Sequence, residues 1–186
     1  LDRWALHRLQ EVIKRVTEAY ERHQFHAVFY TLYNYCTVDL SALYLDVLKD
    51  RLYTNKAAST VRRSGQTAMF IILDAMTRLL APILTFTSEE VWSAMPSWSN
   101  KEESVHLAQF PQVNDKYLNA ELGECWKTMV DAKAEIAKAV EQARKEKTIG
   151  HSLDARITIA APQKLRELIA AHLEDLKALL IVSQLQ

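Results

Sequence analysis

The chain has 186 residues, 49% of them hydrophobic and 25% charged, enough for one globular domain or one with a small appendage. Its 23 basic and 23 acidic residues cancel, which counts against an overall basic nucleic-acid binder yet leaves room for a basic face. Three glycines and four prolines argue for long helices with few turns, and the longest apolar run, residues 69–73, excludes a membrane-spanning helix.

Residues 2–23 form a first predicted helix, with Leu9, Val12 or Ile13, Val16 and Tyr20 on one side. Residues 25–53 are predicted as one second helix. Its apolar stripe is Phe25, Phe29, Leu32, Cys36, Leu40, Leu43 and Val47, spaced by threes and fours. Asn34, Asp39, Ser41, Tyr44, Asp46, Lys49, Asp50 and Arg51 fall on the other side. Residues 54–59 are a polar break. Residues 60–80 are a third helix, and Met69, Phe70, Ile71, Ile72 and Leu73 make it apolar all round, the pattern of a buried central helix. Pro82 bends or ends it. Thr87 to Glu90 has the T-x-x-E form of a capping box and opens a short helix reaching Met95.

Residues 96–113 hold two prolines and no period, so they read as a loop. Residues 115–147 are a long helix striped by Leu122, Trp126, Met129, Ile136 and Val140, about 50 Å long at the α-helical rise. Gly150 is expected to end it as a left-handed cap. The pattern then changes. Residues 153–160 alternate like a strand, residues 162–173 read as a helix, and residues 179–182 as the start of a second strand. The expected organisation is a helical domain over 1–150 and the start of a small α/β domain over 151–186.

Cys36 and Cys125 form no C-x-x-C pair, so a zinc site is not expected, and their scarcity fits a reducing cytoplasm. Cys36, in the apolar stripe, reads as a small buried hydrophobe. No signal peptide is visible, and opening on Leu1 suggests a piece of a longer protein. His23 and His26 lie three apart without a third ligand near in sequence, so solvated or capping roles are favoured over a metal. Glu89-Glu90 and Glu102-Glu103 read as helix-start charge and ordinary solvation.

The residues around the second helix carry a resemblance. Phe25-His26, Asn34-Tyr35-Cys36-Thr37-Val38-Asp39-Leu40-Ser41, and Tyr44-Leu45-Asp46 running into Lys49-Asp50-Arg51-Leu52-Tyr53 resemble the helical anticodon-binding domain of isoleucyl-tRNA synthetases. Leu1-Asp2-Arg3-Trp4 is similar to its start. Leu79-Leu80-Ala81-Pro82-Ile83-Leu84 with Glu89-Glu90-Val91-Trp92, Ser104-Val105-His106-Leu107, and Ala143-Arg144-Lys145-Glu146-Lys147 are similar to its later segments, in order. The resemblance implies a mainly α fold, the anticodon-binding helical bundle of class Ia aminoacyl-tRNA synthetases, followed by a truncated α/β segment.

It also implies a cytoplasmic, monomeric parent enzyme that joins isoleucine to tRNA(Ile) using ATP and magnesium. Its catalytic and editing domains would lie outside this chain, as would a possible zinc-bearing C-terminal module. The chain itself is expected to be catalytically inert and without cofactor. Thr148-Ile149-Gly150-His151 is one residue from the His-Ile-Gly-His nucleotide signature, but it leaves a helix and enters a strand, the reverse of the required context. The same domain of valyl- or leucyl-tRNA synthetase is a nearer alternative. A helical protein-interaction module is a more distant one, whose sign would be an exposed apolar groove in place of a basic face.

The candidates for tRNA contact are Trp4, Arg8, Asn34, Asp46, Lys49, Arg51, Lys56, Arg62, Arg63, Arg144, Lys145 and Lys147. Apart from Arg8, the basic ones among them fall in two clusters. Residues 49–63 carry five basic residues against Asp50, a local net of +4. The second cluster lies on the long helix, where Lys127, Lys133, Lys138, Arg144, Lys145 and Lys147 are offset by Asp131, Glu135, Glu141 and Glu146; a solvated face with i,i+4 pairs explains it equally well. Base reading needs aromatic or guanidinium planes and edge hydrogen bonds, for which Trp4, Tyr33, Asn34, Tyr44 and Tyr53 have the chemistry.

Overall fold

The computed structural model describes residues 1–150, 155–182 and 184–185. The order of elements is α1 (Asp2–Glu21), α2 (Phe25–Asn34), a π-helical segment (Tyr35–Tyr44), α3 (Leu45–Thr54), α4 (Thr60–Leu80), α5 (Thr85–Ala94), α6 (Ala120–Lys145), β1 (Arg156–Ile157), α7 (Gln163–Ala171), α8 (Leu173–Leu180) and β2 (Gln184–Leu185). Short 3-10 turns stand at Val105–Leu107 and Asp115–Tyr117. The fold is mainly α, as the resemblance implies. The chain divides into two compact units, Asp2–Leu118 and Asn119–Gln186. That division falls inside the segment the sequence assigns to one helical domain.

In the first unit, α1 packs against α2 and α4, and α4 packs against α3 and α5. Leu9, Val12, Ile13 and Val16 form the buried stripe of α1, as their spacing predicts. The helix ends in a Schellman turn: His23 adopts φ 55°, the Gln24 N–H reaches Ala19 O at 2.8 Å, and the His23 N–H reaches Tyr20 O at 3.0 Å. His23 is thus a capping position, one of the two roles its sequence favours.

Residues 25–54 form a continuous helical rod, but its middle ten residues bond i→i+5. Each residue of such a helix turns less about the axis than an α residue, so the buried line drifts. Val28 and Leu32 before the segment and Tyr35 at its start are buried; Leu43 and Tyr44 at its end, and Val47 and Leu48 beyond it, are buried too. The predicted stripe is corrected accordingly. Leu32, Leu43 and Val47 are core, Cys36 and Leu40 are half-buried, and Phe25 and Phe29 are exposed.

Helix α4 has its predicted bounds. Ser59 caps it, its hydroxyl accepting from Arg62 N–H at 3.2 Å, and the helix stops two residues before Pro82. It is not buried all round: Ile72, Ala75, Met76 and Leu79 are inside, whereas Leu73 is 43% exposed. Gly65 lets α4 approach α3, since a Cβ there would meet Leu48 Cδ1 at 2.7 Å. Helix α5 begins at Thr85, so the Thr87 to Glu90 box lies inside the helix and does not cap it. Glu89 instead accepts hydrogen bonds from the Ser104 hydroxyl at 2.8 Å and the Val105 N–H at 3.0 Å. That tie holds the following loop over a small core of Ala81, Trp92, Met95 and Val105. Lys101 donates to Trp92 O and Met95 O at 2.7 and 2.9 Å, with its ammonium over the Trp92 and Trp98 rings.

In the second unit α6 starts at Ala120, five residues later than predicted, because Asn119 caps it by accepting from Leu122 N–H at 2.9 Å. Its 26 residues give a length of about 39 Å. Only Trp126 and Met129 of the predicted stripe are fully buried. The cap at its end is Lys147, not Gly150. Lys147 adopts φ 59°, the Thr148 N–H reaches Ala143 O and the Lys147 N–H reaches Arg144 O, each at 3.0 Å, while no described glycine has positive φ. Beyond it, β1 and β2 pair in parallel, Arg156 with Gln184 and Ile157 with Leu185, with α7 and α8 between them. This is the β-α-β pattern read from the sequence. Residues 153 and 154 of the predicted first strand lie outside the described residues. The second strand begins later than expected because Leu179 and Leu180 complete α8.

Candidate nucleic-acid interface

The basic residues of the first unit separate by what they touch. The Arg8 Nε donates to Asp39 Oδ2 at 2.9 Å and its Nη1 to Glu11 at 2.7 Å, tying α1 to the π-helical segment. Burial lowers the Arg8 pKa, but Glu11 and Asp39 together hold it above its ordinary value. Asp39 runs the other way: burial pushes its carboxyl up and Arg8 only partly offsets this. Arg51 lies 3.4 Å from both carboxylate oxygens of Asp2, at the start of α1. That carboxylate also accepts from the Ser64 hydroxyl at 2.6 Å and from the Tyr44 hydroxyl at 3.2 Å. One acidic side chain thus joins α1, the π segment, α3 and α4. Arg62 is half-buried and donates to Asn55 O at 3.1 Å. These three arginines are scaffold cations.

Lys49 is paired with Asp46 at 2.9 Å on the surface, a contact of little energetic weight. Lys56 and Arg63 are exposed and have no side-chain partner among the described residues. They are the cations of the first cluster best able to meet phosphate. In the second unit Arg144 pairs with Glu141 at 3.2 Å, and Lys145 and Lys147 are exposed.

The aromatic candidates divide as sharply. Trp4 and Tyr44 are buried and cannot stack on a base. Burial, then the Asp2 carboxylate, pushes the Tyr44 hydroxyl well above the usual tyrosine range. Tyr33 and Asn34 are exposed on α2, and Tyr53 is 83% exposed on α3. The sequence places Phe25 and Phe29 in the core stripe, of which a four-and-three spacing is the ordinary sign, and assigns Tyr30 to neither side; the structure exposes all three. An uninterrupted lack of acidic residues over 22–38 was the signal available.

A second feature of the unit is an apolar cleft of about 570 Å³ between the π segment, α4 and α5, lined by Cys36, Leu40, Met69, Leu73, Leu84 and Val91 among others. Burial raises the Cys36 thiol pKa, so the thiol stays protonated at neutral pH. The cleft is the sign expected of a protein-interaction module, but it accompanies exposed cations instead of replacing them. Among the described residues no group of three or more His, Cys, Asp or Glu could hold a metal ion, and no helix is long and apolar enough to cross a membrane. His151, in the near-match to the nucleotide signature, lies outside the described residues; Thr148 to Gly150 follow the end of α6.

The family model described as the anticodon-binding domain of tRNA ligase matches residues 2–159. The chain is 46% identical to an isoleucine–tRNA ligase of Syntrophotalea carbinolica, over 100% of this chain and 20% of that protein. It is also 46% identical to the isoleucine–tRNA ligases of Caldanaerobacter subterraneus and Carboxydothermus hydrogenoformans, in each case over 99% of this chain and 20% of the relative. The chain therefore spans about a fifth of the length of the curated relatives it matches. With most of its length matched, the chain belongs to the family of anticodon-binding domains of tRNA ligases.

Proposed function

We propose that this chain is the anticodon-binding part of an isoleucine–tRNA ligase and holds tRNA(Ile) while other domains of the parent carry out aminoacylation. The supporting observation is the 46% identity to isoleucine–tRNA ligases along the whole chain. The parent, a cytoplasmic monomer in this reading, uses ATP and magnesium outside these residues, and this piece is catalytically inert.

Lys56 and Arg63 position the RNA through its phosphates, a contact that carries no sequence information. Tyr33, Asn34 and Tyr53 present a ring or an amide edge to unstacked bases. Arg8, Arg51 and Arg62 act indirectly by holding the helices that carry those groups. Fluorescence anisotropy of the chain with an isoleucine-tRNA anticodon stem-loop, against a scrambled loop and at several salt concentrations, tests the reading. Salt-sensitive binding that prefers the cognate loop is expected, and no binding to either loop refutes it for this chain. The double variant Lys56→Ala/Arg63→Ala should flatten the slope of log affinity against log salt by about 1.4 to 1.8, one ion-release increment per cation. Isoleucine-dependent pyrophosphate exchange by the chain alone would overturn the inert assignment.

A further inference from the structure

The exposed face of α2 is chemically unusual. Phe25, Phe29, Tyr30 and Tyr33 are 57%, 52%, 61% and 54% exposed. Four large rings on ten helical residues would ordinarily be core. They are ordered against one another. Phe29 and Tyr33 stack with centroids 5.7 Å apart and planes 22° apart, and Tyr30 meets Phe29 edge-on at 5.4 Å. Phe25 stands edge-on to His23 at 6.2 Å. Phe25, Phe29 and Tyr33 recur every four residues, so they form a row with steps of about 6 Å along the helix axis.

The surroundings of the row suit a polyanion with flat bases. No aspartate or glutamate occurs between Arg22 and Val38. Arg22, His23 and His26 are exposed beside the row, and none of their side chains has an ion-pair partner among the described residues. Asn34, also exposed, places an amide with both donor and acceptor at the end of the row. An aliphatic docking face would look different, and this unit has one elsewhere, in its apolar cleft. Ring faces are tolerant stacking partners for any base, while imidazole, guanidinium and amide groups meet phosphates and base edges.

Resting on the proposed tRNA reading, we infer that this aromatic row on α2, with His26 and Asn34, is a stacking platform for unpaired RNA bases. The probe is an anticodon stem-loop of tRNA(Ile) with 2-aminopurine in the loop, titrated into the chain and its Phe29→Leu, Tyr30→Leu and Tyr33→Leu variants. Leucine keeps an apolar helix-forming residue and removes only the ring, and far-UV circular dichroism checks that each variant folds. Each substitution should weaken binding by roughly tenfold and reduce the quenching of 2-aminopurine on binding. Their salt slope should stay at the wild-type value, since no cation is lost.

If the wild-type chain binds and the leucine variants bind equally well, the platform is refuted and the tRNA reading stands. If the wild-type chain does not bind, both fall. Self-association of the chain that Phe29→Glu abolishes, with RNA affinity unchanged by the leucine variants, would mark the row as a protein contact and also overturn the proposal.

Discussion

Replacing Gly65 by alanine opposes two effects of similar size. In the interior of α4, alanine is favoured over glycine by about 1 kcal/mol on propensity alone. The added Cβ, however, would lie 2.7 Å from Leu48 Cδ1, nearer than real Cβ contacts come. Leu48 is fully buried, so its methyl cannot swing into solvent, and overpacking of this kind costs about 1–3 kcal/mol. The net expectation is a loss of about 1 kcal/mol, or about 0.5 M in the urea midpoint at an ordinary slope. The assay is urea unfolding followed by tryptophan fluorescence, apt because Trp4, Trp92 and Trp98 all lie within Asp2–Leu118. A second measurement isolates the cause. In a Leu48→Ala background the space is open, so the same Gly65→Ala change should become stabilising by about the propensity gain. A raised midpoint in the wild-type background, or the same shift in both backgrounds, would refute the argument from close approach.

Other predictions follow from the polar geometry. Lys147→Gly should stabilise the second unit by about 1 kcal/mol in denaturant unfolding, since glycine adopts the left-handed conformation at φ 59° without a Cβ penalty; a loss of stability would contradict the cap. Tyr35 and Tyr44 are both buried, but Tyr44 donates to Asp2 whereas the Tyr35 hydroxyl has no partner among the described residues. Tyr44→Phe should therefore cost about 1 kcal/mol and Tyr35→Phe should be neutral or stabilising; equal losses would contradict this. Burial is the first cause raising both hydroxyls above the ordinary tyrosine range. A folded state that holds these protons longer than the unfolded one loses stability as pH rises above about 10. Absorbance titration should accordingly show these two ionising only with alkaline unfolding. Asp2→Ala removes the acceptor shared by Tyr44, Arg51 and Ser64 and should cost about 2–4 kcal/mol, with Arg51→Ala in that background costing little more.

Among the candidate contacts, the sequence separated residue types but not their roles. Arg8, Arg51, Arg62, Lys56 and Arg63 look alike as basic residues, and four of them, Arg51, Lys56, Arg62 and Arg63, stand together in the run 49–63. Whether each was free depended on partners at other distances along the chain. Arg8 meets Asp39, 31 residues away, and Arg51 meets Asp2, 49 residues away. A local charge count does not contain that information. The aromatic candidates failed and succeeded for a related reason: Tyr33 and Tyr44 sit in one predicted helix, yet one is on the surface and the other in the core.

What the sequence determined by itself is what depends on near neighbours. The bounds of α4, the buried stripe of α1, the break at 54–59 and the β-α-β pattern at the end follow from periodicity, propensity and breakers acting over a few residues. The motif wording around residues 34–53 likewise pointed to the family that the match over residues 2–159 then established. Only the tertiary structure decided which line of α2 and α3 is buried, because ten i→i+5 residues rotate the core face away from an ideal α-helical stripe. It also decided that Lys147 and not Gly150 adopts the left-handed turn after α6. The turn comes directly after the helix end at Lys145, and the glycine lies three residues too late to take it.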